Sequence, residues 1–98
     1  MSEWSVYLIR TRFGSLYTGT TTDVERRLVE HRQGGPRGSK YLRSKGPLRL
    51  VYKVALGDRA LACKAEHRIK MLTKREKEEI VSAGLAARAL LAFLDLPS

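Results

Sequence analysis

Two short runs near the start of the chain, Trp4–Arg10 (WSVYLIR) and Ser15–Gly19 (SLYTG), are rich in β-branched and aromatic residues and flank the turn-prone Phe13-Gly14. Runs of this length beside a glycine turn read as strands, and their closeness along the chain joins them in a hairpin. A third strand is expected at Leu48–Leu56 (LRLVYKVAL), where Leu48, Leu50, Tyr52, Val54 and Leu56 alternate against Arg49 and Lys53. That period of two predicts one firmly buried face, ended by Gly57-Asp58.

Between the hairpin and the third strand the period changes. Thr22-Asp23-Val24-Glu25 has the spacing of a capping box, in which the Thr hydroxyl and the Glu carboxylate each satisfy a free backbone N–H. It predicts a helix to about Gln33, stopped by Gly34-Gly35-Pro36. Residues 34–47 hold four of the eight glycines and two of the three prolines, so a mobile basic loop is expected, with one helical turn at Ser39-Lys40-Tyr41-Leu42-Arg43. After the third strand, Leu61, Ala65, Ile69 and Leu72 form one helical stripe with Ala62 at its side and Glu66 at its border. Thr73-Lys74-Arg75-Glu76 is a second capping box, opening a helix through Val81, and Leu85–Leu94 reads as a last apolar helix. The expected fold is therefore α/β, a small, mainly antiparallel three-stranded sheet flanked by helices. At 98 residues it is one folding unit, with residues 1–82 as the domain proper and 83–98 as an apolar helix packing on it or on a partner.

Charge narrows the function. Nineteen Lys and Arg against ten Asp and Glu give +9, and seven of those charges lie between residues 31 and 57, where no acid occurs. Such a field attracts polyanions, and it makes Arg32, Arg37, Lys40, Arg43 and Lys45 the candidate nucleic-acid contacts, with DNA placed ahead of RNA. The longest apolar-rich stretch, Ala83–Leu94, is interrupted by Arg88 and is too short to span a bilayer. A single cysteine, Cys63, and a start (Met-Ser-Glu-Trp) without a signal pattern point to a cytoplasmic, reducing compartment. Cys63 and His67 share a helix face, but a structural zinc needs four ligands, so Cys63 is read as a small packing residue.

Tyr7 and Tyr17 fall on the opening hairpin, Gly19 follows in Tyr17-Thr18-Gly19, Arg27 comes ten residues after Tyr17, His31 four later, and Glu66 lies in the helix after the third strand. In order and spacing this set resembles the GIY-YIG nuclease family. Arg26-Arg27-Leu28-Val29-Glu30-His31 and Leu72-Thr73-Lys74-Arg75-Glu76-Lys77 look like its small single-domain branch, over roughly residues 4–81. The chain departs from the family pattern where Ser5 and Val6 stand for the name-giving Gly and Ile, Thr18 for the second Ile, and Thr20 for a frequent Lys.

Phosphodiester hydrolysis needs a proton acceptor for the attacking water, a cation facing the non-bridging oxygens, and a metal to neutralise the developing and leaving oxygens. The resemblance implies that Tyr17 is the general base or water-positioning group, Arg27 the phosphate clamp and Glu66 the single carboxylate holding Mg²⁺ or Mn²⁺, with Tyr7 completing the phenolic cluster. His31, one turn after Arg27, is expected to accept a proton from Tyr17 or to contact phosphate. The function so implied is a divalent-metal-dependent DNA endonuclease serving repair or processing. Its rivals are a module of the same fold that binds nucleic acid without cutting it, and an accessory subunit of a larger repair complex. On the plainest reading Glu66 simply pairs with Lys70 at i+4.

Overall fold

Antiparallel pairing on both sides of Trp4–Arg10 organises the molecule, which the computed structural model describes over residues 3–97. This strand, β1, lies between β2 (Leu16–Thr21) and β3 (Arg49–Gly57), so β2 is an edge. Helix α1 (Val24–Gln33) follows β2, and α2 (Arg59–Lys70), α3 (Lys74–Ala83) and α4 (Ala87–Phe93) follow β3.

Alternation along β1 divides the core in two. Val6 and Leu8 face a cluster with Tyr52, Ala65, Ile69, Ile80, Leu90 and Leu94 from β3, α2, α3 and α4. Tyr7 and Ile9 face the other way, into a cluster with Val24 and Leu28 of α1 and with Leu42 and Leu48 from the 34–48 connection. Val6, Leu8, Ile69, Ile80 and Leu90 are completely buried, and burying such a side chain stabilises the fold by roughly 1.5–3 kcal/mol. The last helix is stitched into the first cluster as well as packed on it: Tyr52 Oη donates to Leu85 O at 2.6 Å and Arg68 to Leu94 O at 2.8 Å. Arg10 grips Glu78 of α3 through two 2.7 Å bonds, and Lys74 donates to Gly14 O at 2.7 Å, fastening the hairpin tip to α3.

Several local expectations need correction. The cap of α1 is Asp23, not Thr22. The Thr21 hydroxyl takes the Asp23 N–H at 3.1 Å, which leaves Asp23 extended with its carboxylate accepting from Arg26 N, also at 3.1 Å. Glu25 then reaches Lys53 on β3 at 2.9 Å rather than back to the cap. Strand β3 does not keep one buried face. Leu8 pairs with Tyr52 but Ile9 pairs with Leu50, so Val51 is an inserted bulge residue. The bulge sends Leu48 and Leu50 to the α1 side and Tyr52 to the α2 side, and it lets one strand serve both cores. The Thr73–Glu76 box forms as expected, with both reciprocal bonds, while α4 begins two residues later than the apolar run. Cys63 is exposed rather than packed. The 34–48 connection is a string of turns, Ser39 O to Leu42 N, Lys40 O to Arg43 N and Leu42 O to Lys45 N, anchored by buried Leu42.

Candidate active site

The polar groups collect on the α1 face of the sheet, at its β2 edge. Tyr7 stands on the central strand opposite Gly19. A Cβ at Gly19 would lie 2.4 Å from Tyr7 Oη and 2.5 Å from its Cζ, so the ring lies flat over the position where any other residue would put a side chain. Gly19 has no positive φ; it is required by this close approach and not by a turn. Tyr17, two residues earlier and on the same face, sets its ring 6.4 Å from that of Tyr7.

Helix α1 brings the remaining groups. Asp23 fixes its start, and Val24 and Leu28 bury its apolar stripe, which turns Arg27 and His31 toward the tyrosines. His31 is almost wholly buried and both its ring nitrogens are engaged. The Ser39 backbone N–H donates to Nδ1 at 3.1 Å, and Nε2 lies 2.9 Å from Tyr7 Oη. A backbone amide can only donate, so Nδ1 is the acceptor, the ring proton sits on Nε2, and Tyr7 Oη accepts it. The phenol proton of Tyr7 is thereby left free to point into the site. Burial first, then the Arg27 charge, lower the His31 pKa to about 4 against the weaker opposing pull of Glu30. His31 is therefore a neutral brace at physiological pH. It hydrogen bonds to Tyr7 and not, as expected, to Tyr17, whose ring meets it edge-on at 5.4 Å.

Burial and neighbouring Tyr17 raise the Tyr7 pKa above its usual value, Arg27 opposes them, and the Glu66 charge adds to the rise. Tyr7 is thus a neutral phenol at pH 7 and a hydrogen-bond donor rather than a base. Arg27 is held from two sides: Nη1 meets Glu30 Oε1 at 3.0 Å and also donates to the Arg37 carbonyl. Glu66 approaches from α2 on the opposite face, near enough for its charge to be felt at Tyr7, and pairs with Lys70 at 3.1 Å. The i+4 contact with Lys70 is therefore present.

A family model described as the GIY-YIG catalytic domain matches residues 3–79, a span that runs from the start of β1 into α3. The chain belongs to the GIY-YIG family. It is 52% identical over 97 residues to the UPF0213 protein YhbQ of Escherichia coli K12, covering 99% of this chain and 95% of that one. A YhbQ protein of Shigella boydii is 50% identical over the same share. The solution NMR structure of the UPF0213 protein BH0048 from Bacillus halodurans matches 99% of this chain and 100% of that one at 37% identity and a TM-score of 0.55. That of EF2693 from E. faecalis matches 85% of each at 35% identity and 0.57. The α/β fold with a three-stranded antiparallel sheet is that of this small single-domain GIY-YIG branch.

Within this GIY-YIG frame the basic candidates divide. Arg32 is spent on structure, donating through Nε and Nη2 to Leu48 O at 3.3 and 3.0 Å. Arg43 reaches Gly35 O at 3.5 Å, Arg37 contributes its carbonyl to Arg27, and Lys40 is exposed. Lys45 stands 4.3 Å above the ring of Tyr41. Tyr41 is the site residue that the motif spacing misses. It stacks on Tyr17 at 5.9 Å with planes 21° apart, and it remains about half exposed. An aromatic set among Lys40, Arg43 and Lys45 was the available signal. Glu30, three residues after Arg27 on the same helical face, was equally visible as a partner for it. Among the described residues no helix is long and apolar enough to cross a membrane.

Proposed function

We propose that this GIY-YIG protein is a divalent-metal-dependent endonuclease that hydrolyses phosphodiester bonds in DNA. The observation that carries the reading is the convergence of Tyr7, Tyr17, Arg27 and His31 on one sheet face, with the Glu66 charge felt at Tyr7. The roles follow from that chemistry. Arg27, preset by Glu30 and the Arg37 carbonyl, offers a guanidinium face to a phosphate, and a cation held before substrate arrives stabilises developing charge without reorganising. Tyr17, only partly buried, orients the attacking water or takes its proton. Tyr7, with His31 donating to its oxygen, presents its own proton to the reacting phosphate or water.

The donor set suits Mg²⁺ or Mn²⁺. Among the described residues no three His, Cys, Asp or Glu side chains come together as ligands, and Glu66 is a single carboxylate whose charge is felt at Tyr7. Magnesium keeps most of its waters and takes one or two carboxylates with substrate phosphates, so Glu66 would hold it. When bound, such an ion supplies charge neutralisation at the phosphate and leaving oxygen. Residues 31–57 supply salt-sensitive attraction to the strand, chiefly through Lys40, Arg43 and Lys45. The exposed thiol of Cys63 suits a reducing, cytoplasmic setting. A second reading, binding without cutting, draws on the Glu66–Lys70 pair, which keeps the carboxylate occupied.

Incubation of the purified protein with duplex, flap, single-stranded DNA and RNA in Mg²⁺, Mn²⁺ or EDTA decides between them. Cleavage of DNA that EDTA abolishes supports the nuclease. Binding of all substrates with no product in either metal supports the second reading.

A further inference from the structure

The aromatic groups continue past the catalytic cluster to the protein surface. Tyr41 lies against Tyr17 on one side, and on that flank a cleft of about 290 Å³ is lined by Leu16, Tyr17, Thr18, Tyr41, Lys70 and Lys77. Its lining joins apolar and aromatic surface from β2 and the 34–48 connection to two ammonium groups from α2 and α3. Tyr17 belongs to both places, since its ring lines the cleft and also meets His31 edge-on. Lys70, which pairs with Glu66, ties the opposite wall to the proposed metal carboxylate.

An aromatic face that is half exposed, flanked by cations and continuous with a phosphate-handling site matches one ligand chemistry: a flat heterocycle joined to anionic phosphates. Every base has such a face, but in a duplex both its faces are covered by neighbouring base pairs and only its edges are free. We propose that this cleft is a stacking subsite for an unpaired base, so that the nuclease acts on nucleic acid with unstacked nucleotides, a single strand, a flap or a frayed end. The proposal rests on the nuclease reading and names the substrate class of that same site. Tyr41 carries the base, Lys70 and Lys77 meet the flanking phosphates, and Lys45 leaves the Tyr41 ring for a phosphate when a strand arrives. Tyr41 acts as a positioning residue: it fixes where the strand lies relative to Tyr17 and Arg27.

Binding in EDTA separates the stacking from the chemistry. The probes are a fluorescent oligothymidylate of about twelve nucleotides, in the size range of single-strand sites, and an abasic strand of the same length and charge. The wild type should bind the thymidylate strand more tightly. Tyr41→Ala should close the gap by weakening thymidylate binding roughly 5- to 150-fold, the range for losing one base–aromatic stack. Tyr41→Trp should restore it. Equal affinity of the wild type for the two strands overturns the proposal without requiring any variant to fold, and so does equal weakening of both by Tyr41→Ala. A wild type that discriminates between the strands but never cuts would defeat the nuclease reading and keep the subsite.

Discussion

Replacing Gly19 by alanine tests how tightly the site is built. On backbone grounds the change is harmless, since Gly19 has no positive φ and alanine orders a strand better than glycine. The cost comes entirely from the ring above it. The new methyl would stand 2.4 and 2.5 Å from Tyr7 Oη and Cζ, so the ring must swing away, and the 2.9 Å bond to His31 goes with it. Overpacking of this kind costs about 1–3 kcal/mol and the lost hydrogen bond about 1 kcal/mol more, so Gly19→Ala should destabilise by about 2–4 kcal/mol. For a domain of this size each kcal/mol lowers the melting temperature by roughly 4–8 °C. The measurement is a double-mutant cycle by urea unfolding with Tyr7→Ala. In the Tyr7→Ala background there is no ring to displace, and the same glycine change should cost under about 1 kcal/mol. Additive costs would refute the argument, because the loss would then come from the strand and not from the ring.

Three further outcomes follow from the same geometry. His31 titrates near 4 when folded and about 6.5 when unfolded, so the unfolded chain binds the extra proton between those values. Its neutral form therefore supports the fold fully above pH 6.5, and stability falls as pH drops toward 4, by an amount on the order of 3 kcal/mol. Urea midpoints at pH 7 and 4.5 should diverge in the wild type and much less in His31→Gln; parallel declines would contradict the assignment. Thr18 Oγ1 is buried without a hydrogen-bond partner among the described residues, so Thr18→Val should raise stability by about 1 kcal/mol, and a loss of that size would show an unseen partner. Glu66→Gln should abolish Mg²⁺-dependent cleavage while lowering stability by only a few tenths of a kcal/mol through the lost Lys70 pair; cleavage that survives would remove the metal assignment.

Much of this was legible in the residues because local chemistry and tertiary packing agree. The β1–β2 hairpin, the Gly34 stop and the Thr73–Glu76 box are local signals, and each forms where its residues place it. The misses arise where a distant partner decides. Thr22 and Asp23 are both good caps by type, and the choice of Asp23 depends on the turn leaving the β2 edge strand, where the Thr21 hydroxyl takes the Asp23 N–H. The β3 alternation is real in sequence, yet the bulge at Val51 depends on β1 needing a partner for both of its faces. In the candidate site, spacing along α1 puts Arg27 and His31 on one face. It does not show that the Ser39 amide would claim Nδ1, which turns His31 from a free proton acceptor into a brace for Tyr7. Tyr41 escaped because its partner, Tyr17, lies across a glycine-rich connection with no period to read.

The central claim is that the tyrosine face beside α1 hydrolyses phosphodiesters, and a single-turnover cleavage rate for Tyr17→Phe against wild type in Mg²⁺ tests it most directly. The substitution removes one hydroxyl and keeps the ring against Tyr7, His31 and Tyr41, so melting temperature and strand affinity in EDTA should hold. A group that orients or deprotonates the attacking water contributes about 10²–10⁴-fold. A rate loss in that range on a folded, binding-competent variant is the predicted result. A rate within a few fold of wild type would contradict it and leave Tyr17 as packing alone.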